Sequence, residues 1–154
     1  MSTPQAASAP DVLLVRIDVR LAALPLRDVV EVSRPLPLHP VAGAPPYVAG
    51  VAILRGAPAA VVDLRVLLGH PDPGPATRWV TARLDGRPVA LAVDGVVGTR
   101  TLDPSVWRDM PALLEGDSVG GLATVDRTLV TLLQASRQVR EAAEDAVQRS
   151  TAGR

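Results

Sequence analysis

Residues 48–69 read VAGVAILRGAPAAVVDLRVLLG: two short apolar runs, an Arg-Gly corner between them, and an Asp ahead of a small apolar helix. Val51 to Leu54 reads as a buried strand that Arg55-Gly56 breaks, because Gly tolerates the positive φ of a tight corner and a β-branched residue does not. Ala57 to Val62 is the returning run, with Pro58 early enough to sit at a strand start or edge rather than inside a ladder. Asp63 then stands where an N-cap belongs, before Leu64-Arg65-Val66-Leu67-Leu68, and Gly69 follows as the stop. The stretch is a hairpin feeding a capped helical turn.

Around this hairpin the chain is short of aromatic side chains and free of thiols. Its 154 residues include no Phe, no Cys, one Tyr (Tyr47) and two Trp (Trp79, Trp107), so a core must be built from Val, Leu, Ile and Ala. Hydrophobic residues make up 47% and charged ones 21%, the balance of a globular chain, and one domain of this length buries about 68–70% of its unfolded surface. The cations are all Arg; 16 of them balance 16 acidic residues to a net charge of zero, and they are scattered. Nucleic-acid and anionic-membrane binders concentrate basic charge on one face, so neither role is expected. Without Cys there is no disulfide framework and no thiolate metal site. Residues 1–10 lack a basic stretch leading into an apolar one, and no apolar run reaches about 18 residues, so a cytoplasmic chain with no membrane insertion is expected.

Taken in order, residues 1–10 (MSTPQAASAP) read as a disordered tail. Val12 to Ile17 and Arg20 to Leu24 read as paired strands about Asp18-Val19. Pro25 leads into Leu26 to Val32, where Val29 and Val32 at i, i+3 spacing suggest one amphipathic turn. Residues 34–46 hold five prolines that stiffen the loop towards extended or polyproline backbone. HPDPGPA, residues 70–76, reads as a linker between two lobes. Arg78 to Leu84 and Val89 to Val93 form a second hairpin about Asp85-Gly86, and both hairpins end on an Asp (Asp63, Asp94). A strand punctuated by Gly95 and Gly98 follows, then an irregular stretch from Leu102 to Leu114 with a possible helical turn at Ser105. Gly120 to Val125 and Thr128 to Leu133 make the last hairpin. Ser136 to Arg149 is the long helix: Val139, Ala142, Ala143, Ala146 and Val147 share a face, and Asp145–Arg149 is an i,i+4 pair worth about 0.2–0.5 kcal/mol. That stripe is mostly Ala, so shallow docking and fraying after about Gln148 are expected.

Many short strands with Gly and Pro turns argue an all-β barrel or sandwich closed by a terminal helix. Several stretches also resemble a known family. Gly50-Val51, Leu54-Arg55-Gly56 and Val61-Val62-Asp63-Leu64-Arg65 resemble the signature of CheW, the adaptor that couples chemoreceptors to the histidine kinase CheA. Ala23-Leu24-Pro25-Leu26 with Val29 and Glu31-Val32 is similar to that family's short helix ending in Val-x-Glu-Ile. Leu91-Ala92-Val93-Asp94-Gly95-Val96 is similar to its second-lobe strand, and Gly121-Leu122-Ala123 with Leu129 to Leu133 to its closing strands. The resemblance implies two five-stranded SH3-like barrel lobes around a shared hydrophobic core with a groove between them, followed by the C-terminal helix. The expected boundaries are a tail over 1–10, a domain over 11–139 with lobes of roughly 11–75 and 76–135, and a helix with a frayed end over 136–154.

The chemical inventory points away from an enzyme. His39 and His70 sit beside prolines, two isolated His supply too few ligands for a zinc site, and no Gly-x-Ser-x-Gly or phosphate-binding Gly-rich loop is present. No catalytic residue, metal or cofactor is expected, and the Asp-Gly pairs at 85 and 94 read as hairpin turns. Arg55 reads either as a solvated charge beside a turn or, matching the Arg of the family's Asn-x-Arg-Gly, as a partner contact; Ile53 stands where the family usually has Asn. Val29 reads as core or contact, and Gly50 and Gly56 as turn geometry or close partner approach. The resemblance thus implies a partner-binding set of Val29, Glu31, Val32, Gly50, Arg55 and Gly56. It implies an adaptor, monomeric when isolated, for a CheA-type histidine kinase regulatory domain and the cytoplasmic tip of a methyl-accepting chemoreceptor. Rival readings are an adaptor of a motility, pilus or developmental pathway, a decoy in the receptor array, and a small-ligand-binding or hydrolytic barrel, which would need converging polar groups in a closed pocket.

Overall fold

The computed structural model describes residues 11–74, 76–102, 119–125, 128–133 and 137–152. The strands are β1 (Asp11–Ile17), β2 (Arg20–Pro25), β3 (Val29–Ser33), β4 (Val48–Leu54), β5 (Ala57–Asp63), β6 (Arg78–Leu84), β7 (Arg87–Val93), β8 (Gly95–Thr101), β9 (Val119–Val125) and β10 (Thr128–Leu133). A 3-10 turn spans Leu26–Asp28, and the α-helices are α1 (Leu64–Leu67) and α2 (Arg137–Ala152). The strands form two five-stranded sheets, ordered β8-β1-β2-β10-β9 and β3-β6-β7-β5-β4.

Turn chemistry sets the second sheet. Arg55 and Gly56 have φ of 51° and 82°, and Asp85 and Gly86 have 54° and 78°. Positive φ at both central residues is the two-residue corner whose twist matches antiparallel strands, and it places Leu54 opposite Ala57 and Leu84 opposite Arg87. Pro58 faces Ile53 near the start of β5, before the parallel ladder with β7 begins at Ala60↔Val89, so its missing N–H interrupts none of that ladder. The cap after β5 forms as the sequence indicates: Asp63 Oδ1 accepts from the Arg65 and Val66 amides at 2.9 and 3.2 Å, and Gly69 takes φ 99° beyond the C-cap.

Strands β1, β2 and β4 to β7 are buried on both faces, which is why they read as apolar runs rather than strict alternations. In β1, Val12 and Leu14 join Ala23, Leu102 and Val130 in one cluster, while Leu13, Val15 and Ile17 face the other way. In the second sheet Ala52, Leu54, Ala59, Val61, Trp79, Ala90 and Ala92 make the equivalent cluster. The opposite faces meet in a shared core holding Leu13, Val15 and Leu24 from one sheet, Val62, Val80 and Leu91 from the other, and Leu64 of α1.

Four expectations change. First, the lobes are not consecutive halves divided near residue 75: residues 29–93 supply one whole sheet, while the other combines β1 and β2 with β8, β9 and β10. Residues 70–76 therefore connect α1 to a strand of the same sheet. Second, Val29 and Val32 lie on a strand after the 3-10 turn, not on one helical face; β3 pairs with β6 and carries a register shift between Val29 and Glu31. Third, α2 continues through Ala152, and Val139, Ala143 and Ala146 are only 4%, 4% and 1% exposed within the shared core. Small side chains let the helix approach closely, so an Ala stripe makes deep docking possible. The Asp145–Arg149 pair is present at 2.9 Å. Fourth, Asp94-Gly95 is not a hairpin corner: β7 and β8 belong to different sheets, and Asp94 is the crossing point between them. The tail over 1–10 and the possible turn at Ser105 fall outside the described residues.

Candidate partner-binding surface

The β4–β5 corner reaches β3. Arg55 Nη2 lies 3.0 Å from Glu31 Oε1, joining two residues of the expected set that are 24 apart in sequence. With the Arg side chain 70% exposed and the Glu 33%, solvent screens the pair, and its contribution to stability is about 0–1 kcal/mol. Its geometric consequence is larger, because it holds a guanidinium over the sheet with donors to spare. Large apolar side chains stand beside it in the chain: Val32, next to Glu31, is 42% exposed, and Ile53, two residues before Arg55, is 49% exposed. A Cβ on Gly56 would meet nothing within 4 Å, so Gly56 serves the corner through its positive φ.

The other nominated residues lie apart from this patch. Val29 is half-buried, packs against the shared core, and lines a cleft of about 410 Å³ with Leu24, Val62, Leu64 and Leu91. Gly50 is buried with φ 154°; a Cβ there would come within 2.5 Å of the His39 carbonyl oxygen, which bonds to Val51 as a one-residue rung on β4. The demand on Gly50 thus comes from this chain's own loop.

A polar node that sequence reasoning missed ties the sheets together. Arg65 Nη2, on α1, lies 3.4 Å from Asp18 Oδ1 and 3.3 Å from Asp94 Oδ2. The Asp18 amide also donates to Asp94 Oδ2. The Asp94 amide donates to the Arg16 carbonyl at 2.9 Å, and the Asp94 carbonyl accepts from Thr77 Oγ1 at 2.5 Å and from Arg16 Nη2 at 3.2 Å. Asp18 sits at φ 57°, a conformation Asp tolerates through local hydrogen bonding. The available signal was a pair of strands each ending on Asp; they do unlike things, Asp63 capping a helix and Asp94 joining two sheets.

Among the described residues no group of three or more His, Cys, Asp or Glu is placed to hold a metal ion, and no helix is long and apolar enough to cross a membrane. Burial raises the Tyr47 phenol above its ordinary pKa of 10.0.

Two five-stranded sheets about a common core, with a charged corner bonded back to an edge strand, are the attributes of a β-barrel interaction domain. A family model of the CheW-like domain matches residues 11–143, and the chain belongs to that family. A probable chemotaxis protein CheW of Rhizobium etli is 29% identical over 96 residues, covering 59% of this chain and 62% of that protein. The chain thus aligns with less than two thirds of that relative's length. The crystal structure of the scaffolding protein TtCheW from Thermoanaerobacter tengcongensis superposes with a TM-score of 0.74 at 22% identity, over 82% of this chain and 89% of that one, a likeness of fold.

Proposed function

We propose that this chain is a non-enzymatic adaptor of bacterial chemosensory signalling that joins a CheA-type histidine kinase, through its regulatory domain, to the cytoplasmic tip of a chemoreceptor. The observation that carries the reading is the Arg55–Glu31 pair at 3.0 Å, which holds an exposed Arg between β4, which carries exposed Ile53, and β3, which carries exposed Val32. An exposed Arg with donors left over is the kind of residue that anchors an interface. Membership of the CheW-like family and the likeness of fold to a scaffolding protein support the same conclusion. The work of such a protein is geometric: two sheets sharing one core form a body that holds a receptor and a kinase in a set relation. Ile53 in place of the family's Asn makes the corner more apolar, and the proposed partner surface meets it with an apolar group.

Titration of the intact chain against a kinase regulatory domain and against a receptor cytoplasmic fragment tests this. Arg55→Ala is expected to weaken at least one of the two by about 2 kcal/mol, some thirtyfold, with the fold within about 0.5 kcal/mol of the parent. Arg55→Lys, which keeps charge and loses the planar fork, is expected to bind nearer to the Ala variant than to the parent. An Arg55→Ala chain that binds both partners like the parent removes Arg55 from the interface.

A further inference from the structure

Residues 34–40, Arg-Pro-Leu-Pro-Leu-His-Pro, leave the end of β3 and run in the open, every one of them exposed. Their backbone is unusually determined. Pro35, Pro37 and Pro40 hold their own φ near about −65°, and the ring that follows Arg34, Leu36 and His39 pushes each of these towards extended backbone. Only Leu38 is left unconstrained, and residues 34–38 have neither helix nor strand geometry. Prolines so spaced favour polyproline II from Arg34 up to the bridge at His39, with about 3 residues per turn and about 3.1 Å rise per residue. In that conformation Arg34 and Pro37 share one ridge roughly 9 Å apart, and Pro40 stands the same step further along the chain.

The segment is also tethered. Ser33 pairs with Trp79 at the end of β3. His39 exchanges two backbone hydrogen bonds with Val51, both 2.8 Å, and Arg149 Nη1 of α2 donates to the Ala42 carbonyl at 3.1 Å. Leu38 leans on the sheet, its Cδ1 3.1 Å from where a Cβ on Gly50 would lie, and Arg34, Pro37 and Pro40 are exposed to solvent. Arg34 has no hydrogen-bond or ion-pair partner among the described residues.

We infer that residues 34–40 are a docking segment for a protein domain that binds polyproline helices, in which paired aromatic side chains receive Pro37 and Pro40 and a carboxylate at the end of the groove pairs with Arg34. The order basic-x-x-Pro-x-x-Pro supplies one charged and two ring contacts, the pattern that aromatic-lined grooves with an acidic end read. Anchoring on both sides removes much of the ordering cost that a free peptide meets on binding. This goes beyond the coupling role proposed above and uses neither Arg55 nor Glu31.

The test titrates the full-length, isotope-labelled chain with a recombinant SH3 domain whose aromatic groove ends in an acidic cluster, followed by amide chemical shifts. Saturable shifts centred on residues 33–41 are expected, with affinity falling about tenfold or more in Arg34→Glu, since a charge-assisted hydrogen bond is lost and a repulsion gained. Pro37→Ala is expected to weaken binding while leaving the melting temperature unchanged. Absence of saturable shifts in the parent chain overturns the inference. So does binding that moves resonances around Arg55 instead, or binding that Arg34→Glu and Pro37→Ala leave intact.

Discussion

The two sheets share one topology and reach it by different routes. Advancing each strand of β3-β6-β7-β5-β4 by five positions, and returning to β1 after β10, yields β8-β1-β2-β10-β9, the order of the other sheet. The pairings agree as well: the β5–β7 and β10–β2 ladders are parallel, and β6–β7 and β1–β2 are antiparallel. One sheet is contiguous in sequence, whereas the other closes only when Leu21–Ala23 meet Val130–Leu132. Closing such a distant contact is entropically slow to find, although its cost grows only weakly with chain length. The contiguous sheet can organise through its own corners. The split sheet depends on the shared core and on the node at Asp94 to bring its halves together.

The largest expected effect comes from removing what the sheets share. Leu64 is 2% exposed in the common core, and Leu64→Ala is expected to cost about 2–5 kcal/mol, the lost transfer energy plus the cavity. Amide exchange in β2 and β10 should accelerate together with that in β5 and β7. If only one sheet loses protection, the sheets are separable folding units and the dependence drawn above is wrong.

Next in size is the node. Arg65 and Asp94 side chains are 18% and 13% exposed, so removing the guanidinium leaves a poorly solvated carboxylate, and Arg65→Ala is expected to cost about 1–3 kcal/mol. A double-mutant cycle with Asp94→Asn should return a coupling of about 0.5–3 kcal/mol. Additivity would show that Asp94 holds the sheets without Arg65, through its bonds to Asp18, Thr77 and Arg16. The cap is a smaller matter and local to the contiguous sheet: Asp63→Ala is expected to lower stability by about 0.5–2 kcal/mol in urea melts.

The same contrast explains what could be read from the chain beforehand. Arg55-Gly56, Asp85-Gly86 and Asp63-Leu64 carry local signals, so two hairpins, a cap and the all-β class were legible. The lobe division was not, because nothing in β2 or β10 names a parallel partner some hundred residues away. Val29 to Val32 misled because valines three apart fit one helical turn and, across a bulge, a strand equally well. Asp94-Gly95 misled because a turn-forming dipeptide says nothing about which sheet the next strand joins. For the candidate surface, Glu31 and Arg55 were each nominated, and their contact is a tertiary fact. Arg65 escaped notice because it follows a capping Asp, where a charged residue has an ordinary explanation in helix-end solvation.

The smallest expected effect sharpens the comparison most, because it asks why two similar corners use different residues. Asp85 and Arg55 occupy the same position of the same turn, at φ 54° and 51°. A left-handed residue with a Cβ is strained by about 1–2 kcal/mol, and Asp or Asn relieves part of this by bonding to the local backbone, which Arg does not. Arg55→Asn is therefore expected to raise stability by about 0.5–1 kcal/mol, even after losing the screened pair with Glu31. Asp85→Asn should change it by less than about 0.5 kcal/mol, its contact with Arg140 being 3.2 Å long and on an exposed carboxylate. Urea midpoints at unchanged m-values measure both. A gain at 55 with none at 85 means that the chain holds an Arg where the backbone prefers another residue, the mark of a side chain kept for what it touches outside the fold. A loss at 55 would mean that the Glu31 pair outweighs the strain, and the corner would then be explained by stability alone.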